Sequence, residues 1–195
     1  TTTNMMSKGT VYRFDGVDGT MVNAGDSDQF TLPSTGFGAI VKGLYFSSLT
    51  ATSTIFAKTN GGSSREYACE VSTGGKIYLY LYDSGAATNY DAWSTANGAV
   101  TTGAVYAIAF RYDGTTAYCM INGVDVPFTN AAAGSGFSVF SNTTAHFVIG
   151  AQLNAGTAVL NGSISEVMIT NFSPSESEVK DLISGNIPFK WQYGS

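Results

Sequence analysis

Residues 83–98, DSGAATNYDAWSTANG, gather Asn89, Tyr90, Asp91, Trp93 and Asn97 in one polar, glycine-bearing stretch. That set could grip a sugar, with an aromatic ring stacked on the C–H face and amides and carboxylates taking the hydroxyls. Loops on a rigid scaffold commonly carry such work. Tyr90 and Trp93 are also good strand formers able to close the edge of a core, and both readings stand at this point. Asp15 and Asp18 in FDGVDG, with Asp26 and Asp28 in AGDSDQF, offer carboxylates beside turns. Calcium takes roughly six to eight oxygens from such loops. Asp-Gly pairs also make turns with no metal at all, and that reading is favoured. No cofactor is required, and calcium on Asp15 and Asp18 is the one metal these residues could serve.

The single histidine, His146 in TTAHFVIG, supports neither a His-rich zinc site nor a two-partner triad. It is read as structural. Cys69 in EYACEVS and Cys119 in AYCMING lie in apparent strands, where Cys behaves as a small buried hydrophobe. Free thiols are favoured over a disulfide.

The frame for these residues follows from composition. A chain of 195 residues suits one all-β domain, and at that length roughly 70% of the unfolded chain's surface is buried without a metal or disulfide staple. Only 12% of residues are charged while 44% are hydrophobic, which excludes disorder. A net charge of −5, with nine Lys and Arg scattered along the chain, makes no basic stripe for nucleic acid. No apolar run approaches the ~20 residues that cross a bilayer, so no membrane insertion is expected.

Period-two alternation then predicts the elements. TVYRF (10–14), FGAIVKGLYF (37–46), STIFAK, REYACEVS and KIYLYLYD (76–83) read as strands, the second covered on both faces. Ser72 to Gly75 has hairpin length. AVYAIAFRYD and TAYCMI pair around Asp113-Gly114, and Asn122-Gly123 closes a hairpin into VDVPF. AHFVIGAQ and AVLNGSISEVMIT complete roughly a dozen strands, a number that means a sandwich or barrel. One helix follows Phe172: Ser173 as N-cap, Pro174 at the first position, Glu176 closing a capping box, and Gly185 as the stop. Its stripe of Val179, Leu182 and Ile183 must lie on the sandwich, as a lid at a sheet edge or end, because so short a helix is unstable alone.

Three segments resemble laminin-G-like, concanavalin A-like jelly-roll domains. YRFDGVDGTMV resembles their opening, YDGTTAYCMINGVDV their central hairpin, and NGSISEVMITNFSPSESEVKDLI their closing strand and helix. The segments fall in the family's order. The resemblance implies an all-β fold, a two-sheet antiparallel jelly-roll sandwich with one short C-terminal α-helix, spanning residues 10–185. Residues 1–9 are then an N-terminal extension and 186–195 a C-terminal tail. Gly19 and Ser165 stand where relatives carry acids that help hold a structural Ca²⁺, and AVYAIAF replaces their Trp-His-His strand. The fold hosts lectins, adhesion modules, glycosidases and viral coat parts. Glycosidases of this shape carry acids at alternate strand positions, as E-x-D-x-x-E, and no stretch here provides them. Glu66 and Glu70 have no acid between them.

The tail GNIPFKWQYGS resembles segments that follow such domains in bacteriophage virion proteins. Its Ile187, Phe189, Trp191 and Tyr193 would be costly left in water, which suggests docking on a neighbouring subunit or domain. The expectation is a non-catalytic recognition or adhesion module, plausibly for a glycan, on a virion or outside the cell. A purely structural virion domain is the alternative, and a glycoside hydrolase the remote one.

Overall fold

The alternation builds two facing sheets. The computed structural model describes residues 2–4, 11–17, 20–60, 64–83, 88–152 and 158–185. The chain runs through β1 (Thr2–Asn4), β2 (Tyr12–Asp15), β3 (Val22–Asn23), β4 (Phe37–Phe46), β5 (Ser53–Thr59), β6 (Arg65–Val71), β7 (Ile77–Tyr82) and β8 (Tyr90–Ser94). It continues through β9 (Val105–Tyr112), β10 (Ala117–Ile121), β11 (Val124–Val126), β12 (Thr129–Asn130), β13 (Phe147–Ile149), β14 (Asn161–Ile164), β15 (Glu166–Thr170) and α1 (Glu176–Ser184).

One sheet, A, has the order β1-β15-β4-β9-β10-β11, with β14 bridging β4 and β2. The other, B, has the order β12-β8-β7-β6-β5-β13-β3. Inward residues of both meet in one core that includes Phe37, Phe56, Tyr67, Phe110 and Phe147, all at most 1% exposed. Phe56 of sheet B meets Phe110 of sheet A edge-on at 6.4 Å, the tilted contact that aromatic quadrupoles favour. The all-β sandwich expected from the alternation is what the chain forms.

β4 occupies Phe37–Phe46 as predicted, with Ala39 and Val41 in the core and Ile40 on the outer face beneath α1. A bulge interrupts it between Val41 and Leu44, where Gly43 holds φ +61° against Ser165. At Asn122-Gly123 both residues have positive φ, 51° and 83°, as the Asn-Gly hairpin requires. Cys69 in sheet B and Cys119 in sheet A are buried free thiols, and burial pushes both thiols up. Thr2–Asn4, within the segment read as an extension, pairs with β15 at the edge of sheet A.

Three expectations need correction. The stretch 158–170, read as one strand, is two, broken at Ser165 where its N–H turns to the Lys42 carbonyl. The helix is capped by Ser175, not Ser173. Ser175 Oγ accepts from the Glu178 N–H while the Glu178 carboxylate accepts from the Ser175 N–H at 2.7 Å. Pro174 packs over Gly38 before the cap. Nor does the helix sit at a sheet edge or end: Val179, Leu182 and Ile183 lie on Ile40, Ala109, Met120 and Met168, the outer face of sheet A. Gly185 stops it in the left-handed conformation, φ 76°, as predicted.

Candidate functional site

α1 covers Ile40, Ala109, Met120 and Met168 on the outer face of sheet A, whereas no helix among the described residues packs on the outer face of sheet B. Strand β7 turns Ile77, Leu79 and Leu81 into the core and so presents Tyr78, Tyr80 and Tyr82 outward. Their rings are 5.6 Å apart at 10° and 6.0 Å apart at 15°. Those spacings exceed the thickness of a ring, so the three overlap like shingles in the offset stacking that aromatic pairs prefer. Tyr90 of β8, opposite Tyr82 in register, adds a fourth ring 5.6 Å from Tyr82 and 5.9 Å from Tyr80. Ala68 of β6 and Ala92 of β8 pair with Tyr80 on either side. Tyr78 and Tyr80 are half-buried, whereas Tyr82, 6% exposed, is packed with Ala57, Ala68 and Val148 beside Met21.

Polar groups flank the row. Arg65 places its guanidinium carbon 5.4 Å from the Tyr82 centroid, and Lys76 its ammonium 4.9 Å from that of Tyr78. Glu70, opposite Tyr78 in register, accepts a hydrogen bond from Gln152. Burial raises the Glu70 pKa, opposed by the Gln152 bond and the charge of Arg65. Burial likewise pushes Tyr82 up to about 12, and raises Tyr80 further. Among the described residues, the hydroxyls of Tyr78 and Tyr80 have no protein partner. The face thus offers aromatic surface, phenol hydroxyls, a carboxylate and two cations, the equipment of a saccharide site.

The residues predicted to bind sugar are dispersed. The stretch read as a loop contains β8, paired along its length with β7. Tyr90 reaches the tyrosine face. Trp93, 8% exposed, points into the core against Phe128 and offers no face to a ligand. Asn89 and Asp91 accept from the backbone N–H groups of Ser135 and Phe137, bracing the segment before β13. Asn97 is exposed in the turn beside Gly74. The signal for the other members was in the sequence: KIYLYLYD sets three tyrosines at alternate positions, hence on one face.

Asp15 Oδ1 accepts from the Val17 N–H and the Thr20 hydroxyl, which hold its pKa down; Asp18 lies outside the described residues. Asp26 lies 3.5 Å from Lys58, and Asp28 accepts from Asn142. No group of three His, Cys, Asp or Glu among the described residues could hold a metal ion. His146 Nδ1 lies 3.1 Å from Asn23 Oδ1. Glu66 is held in the core by Lys58 and Glu70 faces out, so the two do not make a paired-carboxylate site. Ile187, Phe189, Trp191 and Tyr193 lie outside the described residues. No helix among the described residues is long and apolar enough to cross a membrane.

The family model for the concanavalin A-like lectin/glucanases superfamily matches residues 44–180. The chain belongs to this superfamily. No curated protein matches it by sequence. Among solved structures, this superfamily member is similar to the CBM40 module of Ruminococcus gnavus IT-sialidase, solved with α2,3-sialyllactose bound. The match has 15% identity and a TM-score of 0.64, and covers 89% of this chain and 98% of that one. It is also similar to a K499G mutant of NanB sialidase from Streptococcus pneumoniae, at 17% identity and TM-score 0.68, covering 88% of this chain but 27% of NanB. A heptameric SAP-like pentraxin from Limulus polyphemus matches at 14% and 0.60, covering 90% and 82%. At these identities the likeness is one of fold.

Proposed function

We propose that this superfamily member is a non-catalytic carbohydrate-binding module whose glycan lies on the outer face of sheet B. The observation that carries this is the row of Tyr78, Tyr80 and Tyr82 on the sheet face opposite the one α1 covers. Shingled rings present C–H-binding surface and hydroxyls together, while Glu70 and Gln152 supply acceptors and donors for sugar hydroxyls. The likeness to a complete carbohydrate-binding module, covered over 98% of its length, supports the same reading. Binding without catalysis is supported by the position of Glu66: pinned by Lys58, it cannot act with Glu70 as an acid and a nucleophile some 5–9 Å apart. Such a module works where glycans are displayed, so we place it outside the cell or on a virion surface.

A glycan array read with the wild-type protein and with Tyr80→Ala tests this. Retention of defined glycans by the wild type, lost in Tyr80→Ala at an unchanged melting temperature, is the expected result. Equal retention by both proteins would remove the face from the account.

A further inference from the structure

Antiparallel pairing puts the first residues of β6 and β7 at opposite ends of the tyrosine row. Arg65 opens β6 and lies over Tyr82, whereas Lys76 precedes β7 and lies over Tyr78. Tyr82 stands four positions beyond Tyr78, which at ~3.3 Å per residue is about 13 Å along the strand. No single sugar ring reaches from one cation to the other. Acids outnumber bases fourteen to nine in this chain, and three other lysines have carboxylate partners: Lys42 with Glu166, Lys58 with Glu66 and Lys180 with Glu176. Among the described residues neither Arg65 nor Lys76 makes an ion pair. A cation seated on a ring keeps its other side for an anion, and a guanidinium offers a planar fork suited to a carboxylate or sulfate. Glu70, opposite Tyr78 and hydrogen-bonded to Gln152, lies at the Lys76 end of the row.

We propose that this face selects an extended oligosaccharide bearing two acidic groups, one held by Arg65 and one by Lys76, with neutral sugar over the tyrosines between them. The inference rests on the reading of the tyrosine row as a saccharide site. It adds what that reading does not contain, namely the charge of the ligand and its minimum length.

The test is calorimetric titration of the whole chain at low ionic strength with four probes. These are an oligogalacturonate hexamer (carboxylates alone), a heparin-derived hexasaccharide (sulfates as well), α2,3-sialyllactose (one acid) and cellohexaose (none). The proteins are the wild type, Arg65→Gln, Lys76→Gln and the double variant, each checked by melting temperature. One of the polyacidic probes should bind most tightly, and which of the two does so tells carboxylate from sulfate. Each substitution should weaken it about ten-fold, the value of one charged hydrogen bond, and 0.5 M salt should erase the preference. Cellohexaose bound as well as the polyacids, or both variants unchanged, would overturn the inference and leave the saccharide site standing. Loss confined to Arg65→Gln would overturn the two-ended mode in favour of a single acid. Failure of the wild type to bind any probe or any arrayed glycan would overturn both readings.

Discussion

Lys58 Nζ donates to Glu66 Oε1 at 2.5 Å between two side chains that are both fully buried. A bulge makes this contact. The register passes from Lys58↔Tyr67 to Thr59↔Arg65, leaving Glu66 as the extra residue turned toward the core. The same carboxylate oxygen accepts from the Thr143 N–H and hydroxyl, tying sheet B to the segment before β13.

Breaking that pair from one side strands a buried charge. Lys58→Met is expected to cost about 3–5 kcal/mol, whereas Lys58→Met with Glu66→Leu recovers most of it. Denaturant titration of the three proteins checks this. A single substitution as mild as the double would contradict it.

Trp93 contributes to packing. Trp93→Ala removes a ring stacked 6.2 Å from Phe128 and should cost about 3–5 kcal/mol. Thermal melting measures the loss, and any protein still folded should retain the glycan that the wild type selects.

Glu70 predicts a pH effect with a definite sign. Burial raises its pKa above the ordinary 4.5, so the folded state holds the proton more tightly than the unfolded chain. Stability from this group is present at low pH and is lost as pH rises through the folded pKa. Glu70→Gln, which keeps a partner for Gln152, should therefore melt higher than the wild type at pH 7, with the gain vanishing by about pH 4. Melting curves at the two pH values decide it, and a gain equal at both would contradict the assignment.

The helix cap gives a discriminating pair. Ser175→Ala removes the acceptor for the Glu178 N–H and should cost about 1 kcal/mol, whereas Ser173→Ala leaves the cap intact. Chemical denaturation with both variants checks this.

The sandwich was legible because its evidence is local. Ile77, Leu79 and Leu81 alternate with Tyr78, Tyr80 and Tyr82, and Asn122-Gly123 announces its own turn. The site was less legible because it depends on neighbours. Nothing near Tyr90 says that Tyr82 lies beside it, since that follows from the β7–β8 register across a connection of seven residues. Trp93 reads as a sugar platform in a polar sequence, and only the strand parity fixed by its pairing with Leu79 sends it inward. The buried Lys58–Glu66 pair depends on a bulge, which has no sequence signature here. The cap slipped by two residues because Ser173 and Ser175 each precede an acid by three, and only tertiary packing of Pro174 over Gly38 chooses between them.

The account stands on the outer face of sheet B as the place where the ligand sits. Titrating an array-selected glycan into isotope-labelled protein and following amide and side-chain shifts tests this most directly. Perturbations centred on Arg65, Glu70, Tyr78, Tyr80, Tyr82 and Tyr90 are predicted. Perturbations centred on α1, or on the β9–β10 turn at Asp113, with the tyrosine row unmoved, would contradict it.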